Sequence, residues 1–199
     1  MEPMNLPEII NKVLSSRPPE VMGTDDSGRI HASVLIPILK DNGQYKVLLT
    51  KRTDRVDAHK GQISFPGGRV DEEDLSFMDA ALRETEEEVG IRREDVEVLG
   101  RTDDEPTATS NFIVHPFVGR VPYPYEYRIS PDEVQRIILA PFTIFLPDSP
   151  HAREQDGVLY EGDMFYGQTY RYNGDVIWGA TARMMKRLVE IVGTRLATL

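Results

Sequence analysis

Gly67-Gly68-Arg69-Val70-Asp71-Glu72-Glu73-Asp74 is followed, five residues on, by Ala80-Ala81-Leu82-Arg83-Glu84-Thr85-Glu86-Glu87-Glu88-Val89-Gly90-Ile91. The pattern predicts a helix from about Leu75 to Val89 that ends at Gly90, because glycine readily adopts the left-handed conformation that closes a helix. At about 100° per residue, Glu84, Glu87 and Glu88 share one stripe, and Met78, Ala81, Leu82, Thr85 and Val89 form another centred about 120° away. The second stripe is expected to pack into a core and the first to present carboxylates. Like charges three and four residues apart cost a few tenths of a kcal/mol per pair, and a hard divalent cation would offset that. Mg²⁺ takes carboxylate oxygens and keeps some waters, which suits a site shared with substrate phosphates. From the glutamates alone a solvated acidic face is the commoner explanation. The Gly67-Gly68 turn shifts the reading, since it lets a ligand or metal approach the main chain.

Upstream, apolar residues at helical spacing (Ile9, Ile10, Val13, Leu14) predict a short N-terminal helix on a flexible arm, stopped by Ser15-Ser16-Arg17-Pro18-Pro19. His31 to Leu39 and Tyr45 to Thr50 are rich in strand formers and are joined by Lys40-Asp41-Asn42-Gly43, a hairpin signal. Downstream, Val96 to Leu99 and Phe112 to Val121 read as strands separated by a polar loop, and Val134 to Leu139 fits strand or helix. His151 to Gly162 reads as loop, Met164 to Ile177 as a hairpin turning at Asn173-Gly174, and Thr181 to Leu196 as an amphipathic closing helix. Strands on both sides of one central helix, plus a closing helix, predict an α/β class of α+β type: a mixed central sheet in an α/β/α sandwich.

The 199 residues are 40% hydrophobic and 28% charged, enough for one globular domain with a sizeable core. A formal net charge of -10 disfavours a generic grip on nucleic acid or anionic membranes. An anionic ligand would then need a bound cation or a local Arg and Lys cluster. With no cysteine, disulfides, thiolate metal sites and a Cys nucleophile are excluded. MEPMNLPEIINKV lacks the basic start and apolar run of a signal peptide, and no segment approaches 18 apolar residues, so a soluble cytoplasmic protein is expected.

The Gly-Gly turn and acidic helix resemble the Nudix box, G-x5-E-x7-R-E-U-x-E-E-x-G-U with U apolar. Gly68, Arg83, Glu84, Glu87, Glu88, Gly90 and Ile91 match in order. Asp74 stands where the first Glu belongs, the gap from it to Arg83 is one residue longer, and Thr85 replaces an apolar residue. The resemblance implies a family fold over residues 29–199, closing helix included, with 1–28 as helix and arm. It implies Mg²⁺, with Mn²⁺ as an alternative, held by Glu84, Glu87 and Glu88 and by the Gly68 carbonyl. Arg83 would orient a site carboxylate. Attack of water on a diphosphate then needs a general base, for which Glu87, Glu88 and Glu133 are candidates, Glu133 because Asp132-Glu133-Val134 resembles a stretch that follows the box in many relatives. Glu154 and Asp156, in the expected loop, are weaker candidates.

Leu48-Leu49-Thr50-Lys51-Arg52-Thr53, His59-Lys60-Gly61-Gln62-Ile63-Ser64-Phe65-Pro66-Gly67-Gly68 and Ile177-Trp178-Gly179-Ala180-Thr181-Ala182-Arg183 resemble the coenzyme A pyrophosphatase branch of that family. The resemblance implies a nucleoside diphosphate derivative as ligand, with coenzyme A or acyl-coenzyme A foremost. Arg52, Arg55, His59, Phe65, Gly67, Gly68 and Arg69 are the candidate substrate contacts, with Lys60 beside them. Asp57 stands where that branch carries an arginine, which keeps open ADP-ribose, nucleotide sugars or nucleoside triphosphates as substrates. A non-catalytic binding module is the third alternative, although such modules usually lose box carboxylates. His31, His115 and His151 make no ligand spacing and read as structural. A homodimer is an assembly common in the family, with no interface legible in the sequence.

Overall fold

The computed structural model describes residues 5–22, 28–53, 61–107 and 111–196, without the side chains of 194–196. Three helices, α1 (Leu6–Ser15), α2 (Phe77–Val89) and α3 (Gly179–Leu196), surround the strands β1 (Ile30–Asp41), β2 (Gln44–Arg52), β3 (Ile63–Ser64), β4 (Gly67–Arg69), β5 (Glu97–Arg101), β6 (Glu105–Pro106), β7 (Phe112–Arg120) and β8 (Val134–Pro141). Strands β9 (Ala152–Tyr160), β10 (Asp163–Tyr172) and β11 (Asp175–Ile177) form a second sheet in the order β11-β10-β9. The β1–β2 hairpin turns through Asn42 and Gly43, both with positive φ, as a type I′ turn requires.

The main sheet is mixed. Strands β1 and β7 run parallel along the whole of β7, Ile30 opposite Phe112 and Ile38 opposite Arg120, and their neighbours pair antiparallel. Alternation along β1 divides the layers. Val34, Ile36 and Ile38 enter the large core beneath α1 and α3, whereas Leu35 and Leu39 pack on the α2 side with Ala81, Phe117, Val89 and Ile91. These are the expected α/β/α layers.

Several local expectations are corrected. Helix α1, capped by Asn5 and Glu8, does not stand apart on an arm: Leu6, Ile9, Ile10 and Leu14 are buried in the main core, and Asn11 donates to the Leu99 carbonyl. The choice left open for Val134 to Leu139 resolves as strand, since β8 pairs with β2. The stretch read as loop from His151 is strand β9, hydrogen-bonded to β10 from Ala152 to Tyr160. Polar side chains hid it, because a strand with both faces half-exposed carries no apolar alternation. On α2, Met78 is exposed and Glu88 is buried, so the packed face is rotated toward the carboxylates relative to the one expected.

Candidate active site

Strand β4 brings the Gly-Gly turn against α2. Gly67 has φ +153 and lies so close to β1 that a Cβ there would sit 2.3 Å from the Ser33 carbonyl oxygen. A Cβ on Gly68 would sit 2.5 Å from Cδ of Glu84. Both glycines are therefore demanded by close approach, at Gly68 to a carboxylate of the metal-type helix. Helix α2 starts at Ser76, whose side chain accepts from the Asp79 amide, and ends at Gly90 in the left-handed region.

Arg83 organises this end of the site. Its Nε and Nη2 each donate to a different Asp74 oxygen at 2.9 Å, Nη2 also to the Arg69 carbonyl at 3.1 Å, and Nη1 to Glu84 at 2.8 Å and Glu87 at 3.2 Å. The Asp74 side chain is 3% exposed, and its hydrogen bonds from Arg83 hold its pKa below the ordinary carboxylate value. Asp74 thus serves as the arginine's anchor, a fork-to-fork pair that fixes the guanidinium plane. Only its position in the box was legible in the sequence; this pairing across nine residues was not.

Glu84 and Glu88 face inward, whereas Glu87 points to solvent with its side chain 61% exposed. Burial raises the Glu84 pKa against the pull of Arg83, with Glu87 and Glu133 adding repulsion. Burial, with repulsion from Glu133 and Glu84 added, pushes Glu88 up to about 8 despite Arg52. Arg52 Nη1 lies 3.6 Å from Glu88 Oε1. Glu88 Oε2 and Arg52 Nε are both buried without a hydrogen-bond partner. Glu133 is exposed, close enough for its charge to act on both inner glutamates.

Among the described residues, no three His, Asp or Glu side chains are gathered so as to hold a metal ion as they stand. Arg83 takes Glu84 and Glu87, and Arg52 faces Glu88. The donor chemistry nonetheless fits a hard divalent cation: one buried and one half-buried carboxylate with raised pKa values, one orphaned carboxylate oxygen, and a glycine turn pressed against them.

Of the substrate contacts read from sequence, Arg52 reaches the site, and Arg69 has an exposed side chain beside the turn. Phe65, a candidate substrate contact, is 1% exposed within the main core. Arg55, Asp57, His59 and Lys60 lie outside the described residues. Asp156 is engaged by Arg171 at 2.7 Å, and Glu154 lies 3.7 Å from Lys186, both on β9. Thr53, which closes the 48–53 stretch but is given no role there, donates its hydroxyl to the Asp132 carbonyl at 2.7 Å. Its place in that stretch, next to Arg52, is the sequence signal that could have found it. His115 is buried, with Nδ1 2.8 Å from Asp104, Nε2 2.8 Å from His31, and its ring stacked on Phe77.

The fold is that of a Nudix hydrolase: residues 29–159 match the NUDIX domain family, and the chain belongs to it. It is similar to proteins described as uncharacterized Nudix hydrolase NudL. The one from Photorhabdus laumondii is 33% identical over 189 residues, covering 95% of this chain and 98% of the relative. That from Citrobacter koseri is 36% identical over 177 residues, covering 89% and 90%. Among solved structures, a MutT/nudix family protein from Enterococcus faecalis superimposes with a TM-score of 0.54 at 13% identity, covering 96% of this chain and 76% of that one. RenU, a Nudix hydrolase from M. smegmatis, gives 0.53 at 16%, covering 83% and 87%. Nudix hydrolases generally use divalent metal ions, and no helix among the described residues is long and apolar enough to cross a membrane.

Proposed function

We propose that this Nudix hydrolase is a Mg²⁺-dependent diphosphatase of coenzyme A or acyl-coenzyme A, releasing 3′,5′-ADP and 4′-phosphopantetheine or its acyl form. One observation supports the reading most: the three stretches that resemble the coenzyme A branch are tied to one another, and the first of them reaches the acidic helix. Thr50 and Lys51 pair with Ser64 and Ile63, the next residue, Arg52, reaches Glu88, and the Thr181 hydroxyl donates to the Ile63 carbonyl at 3.0 Å.

Glu84 and Glu88, with Glu87 and the Gly68 carbonyl, would hold the cation. When bound, it would neutralise phosphate charge and make the attacking water more acidic. Arg83, clamped by Asp74, keeps Glu84 in orientation. Glu133 takes the proton of the attacking water as the new P–O bond forms and the bridging P–O bond breaks. The leaving phosphate carries away the electron pair, and Arg52, Arg55, His59 and Arg69 bind the substrate's charged groups.

The test is product analysis of coenzyme A incubated with wild type and Glu88→Gln, each with Mg²⁺ and with chelator. Release of 3′,5′-ADP by wild type alone, and only with the cation, is expected. Intact coenzyme A, alongside faster hydrolysis of another diphosphate, would overturn the substrate assignment. Asp57 favours a second reading, in which ADP-ribose, a nucleotide sugar or a nucleoside triphosphate is the substrate. A panel ranked by kcat/KM, run with Mg²⁺ and Mn²⁺, separates the two.

A further inference from the structure

Glu133 is an exposed side chain on a main chain tied from two sides. From the helix side, the segment leading to it crosses the last turn of α2. Arg128 N–H donates to the Val89 carbonyl at 3.0 Å and Ser130 N–H to the Glu88 carbonyl at 2.9 Å. Those carbonyls lie at the end of a helix, where no later amide of the helix reaches them. Glu133 N–H then donates to the Ser130 carbonyl at 3.1 Å, so the chain turns directly into Glu133.

From the sheet side the tie is Thr53. The β2–β8 ladder shifts register between Lys51 and Arg52, the kind of irregularity that re-aims residues beside active sites. Just beyond the shift, Thr53 N–H donates to the Glu133 carbonyl at 2.9 Å, and its hydroxyl donates to the Asp132 carbonyl at 2.7 Å. Thr53 is 8% exposed, so a carbonyl released there has little water to replace the hydroxyl. One residue thus holds both carbonyls of the dipeptide that carries Glu133, and its chain neighbour Arg52 faces Glu88.

We propose that Thr53 is a positioning residue for hydrolysis: its hydroxyl fixes the Asp132–Glu133 peptide so that the Glu133 carboxylate meets the water that attacks the diphosphate. The proposal rests on the reading of Glu133 as the base. Thr53→Val keeps the shape and the backbone hydrogen bond but sets a methyl group against the Asp132 carbonyl. Displacement of a catalytic group by about 1 Å costs on the order of 100-fold in rate, so kcat is expected to fall roughly 10- to 100-fold with KM nearly unchanged. Thr53→Ser, which retains the hydroxyl, recovers most of that loss.

The experiment measures kcat and KM of wild type, Thr53→Val, Thr53→Ser and Glu133→Gln with Mg²⁺ on coenzyme A and on ADP-ribose. Mn²⁺ affinity by calorimetry and hydrogen–deuterium exchange across residues 128–134 accompany it. Support is a kcat loss in Thr53→Val rescued by serine, with Mn²⁺ affinity retained and exchange across 128–134 raised. Wild-type kcat in Thr53→Val, beside an inactive Glu133→Gln, overturns the role of Thr53 and leaves the base assignment standing. An equal loss in Thr53→Ser, or a loss explained by weakened Mn²⁺ binding, also overturns it. Full turnover by Glu133→Gln, or a wild type that cleaves neither substrate, removes the reading on which the role rests, and the role with it.

Discussion

Replacing Gly68 by alanine adds one methyl group, and the structure specifies what that methyl meets. Its Cβ would lie 2.5 Å from Cδ and Oε2 of Glu84 and 2.6 Å from Oε1, far inside van der Waals contact. Glu84 cannot swing away freely, because Arg83 Nη1 holds it at 2.8 Å and Asp74 holds Arg83. Either the carboxylate rotates out and gives up a charge-assisted bond, or β4 and α2 move apart. Overpacking of this kind costs about 2 kcal/mol, which for a chain of this size lowers Tm by about 4–8 °C. Hydrolysis should suffer more, on the order of 100-fold in kcat, because the displaced group is a proposed metal ligand. The assays are thermal unfolding and steady-state turnover of Gly68→Ala, Glu84→Ala and the double variant. Since the clash is with the Glu84 carboxylate, Gly68→Ala should cost much less stability in the Glu84→Ala background. Wild-type Tm and kcat in Gly68→Ala, or strict additivity of the two stability changes, would refute the reasoning.

Arg83→Lys removes the fork that grips Asp74 and is expected to lower kcat roughly 10- to 100-fold; Asp74→Asn added to it should cost little more, and additive losses in turnover would deny that the two act as a unit. Burial raises the Glu88 pKa from 4.5 to about 8, so the stability gained by holding its proton in the fold is fully present below pH 4.5 and is lost as pH rises toward 8. In chelator, wild type should therefore lose on the order of 3 kcal/mol between those limits. Glu88→Gln should flatten that slope in chemical denaturation, and an unchanged slope would count against it. Burial works against the charge of Asp103, yet Arg17, the Glu20 amide and Arg187 outweigh it and hold the pKa at about 2. Its contribution is present above the ordinary carboxylate pKa of 3.8 and lost as pH falls toward 2. Asp103→Ala is expected to cost roughly 3 kcal/mol at neutral pH, read from urea midpoints, and a change within error would show that the Arg17–Asp103–Arg187 cluster does not tie the N-terminal segment to α3.

Local chemistry was what the sequence by itself determined. The turns at Asn42-Gly43 and Asn173-Gly174, the stop of α2 at Gly90 and the Ser15 end of α1 are legible because each rests on the conformational preference of one or two residues. The same holds for the order Gly68, Arg83, Glu84, Glu87, Glu88, from which the family follows. Tertiary structure alone decided the rest, because it depends on partners distant in the chain. Strand β9 exists through its hydrogen bonds to β10. Glu87 and Glu88 are adjacent and chemically identical, yet one is solvated and the other buried against Arg52, since only one faces the sheet. Thr53 comes to hold the peptide of Glu133 through a register shift that leaves no mark in composition or periodicity.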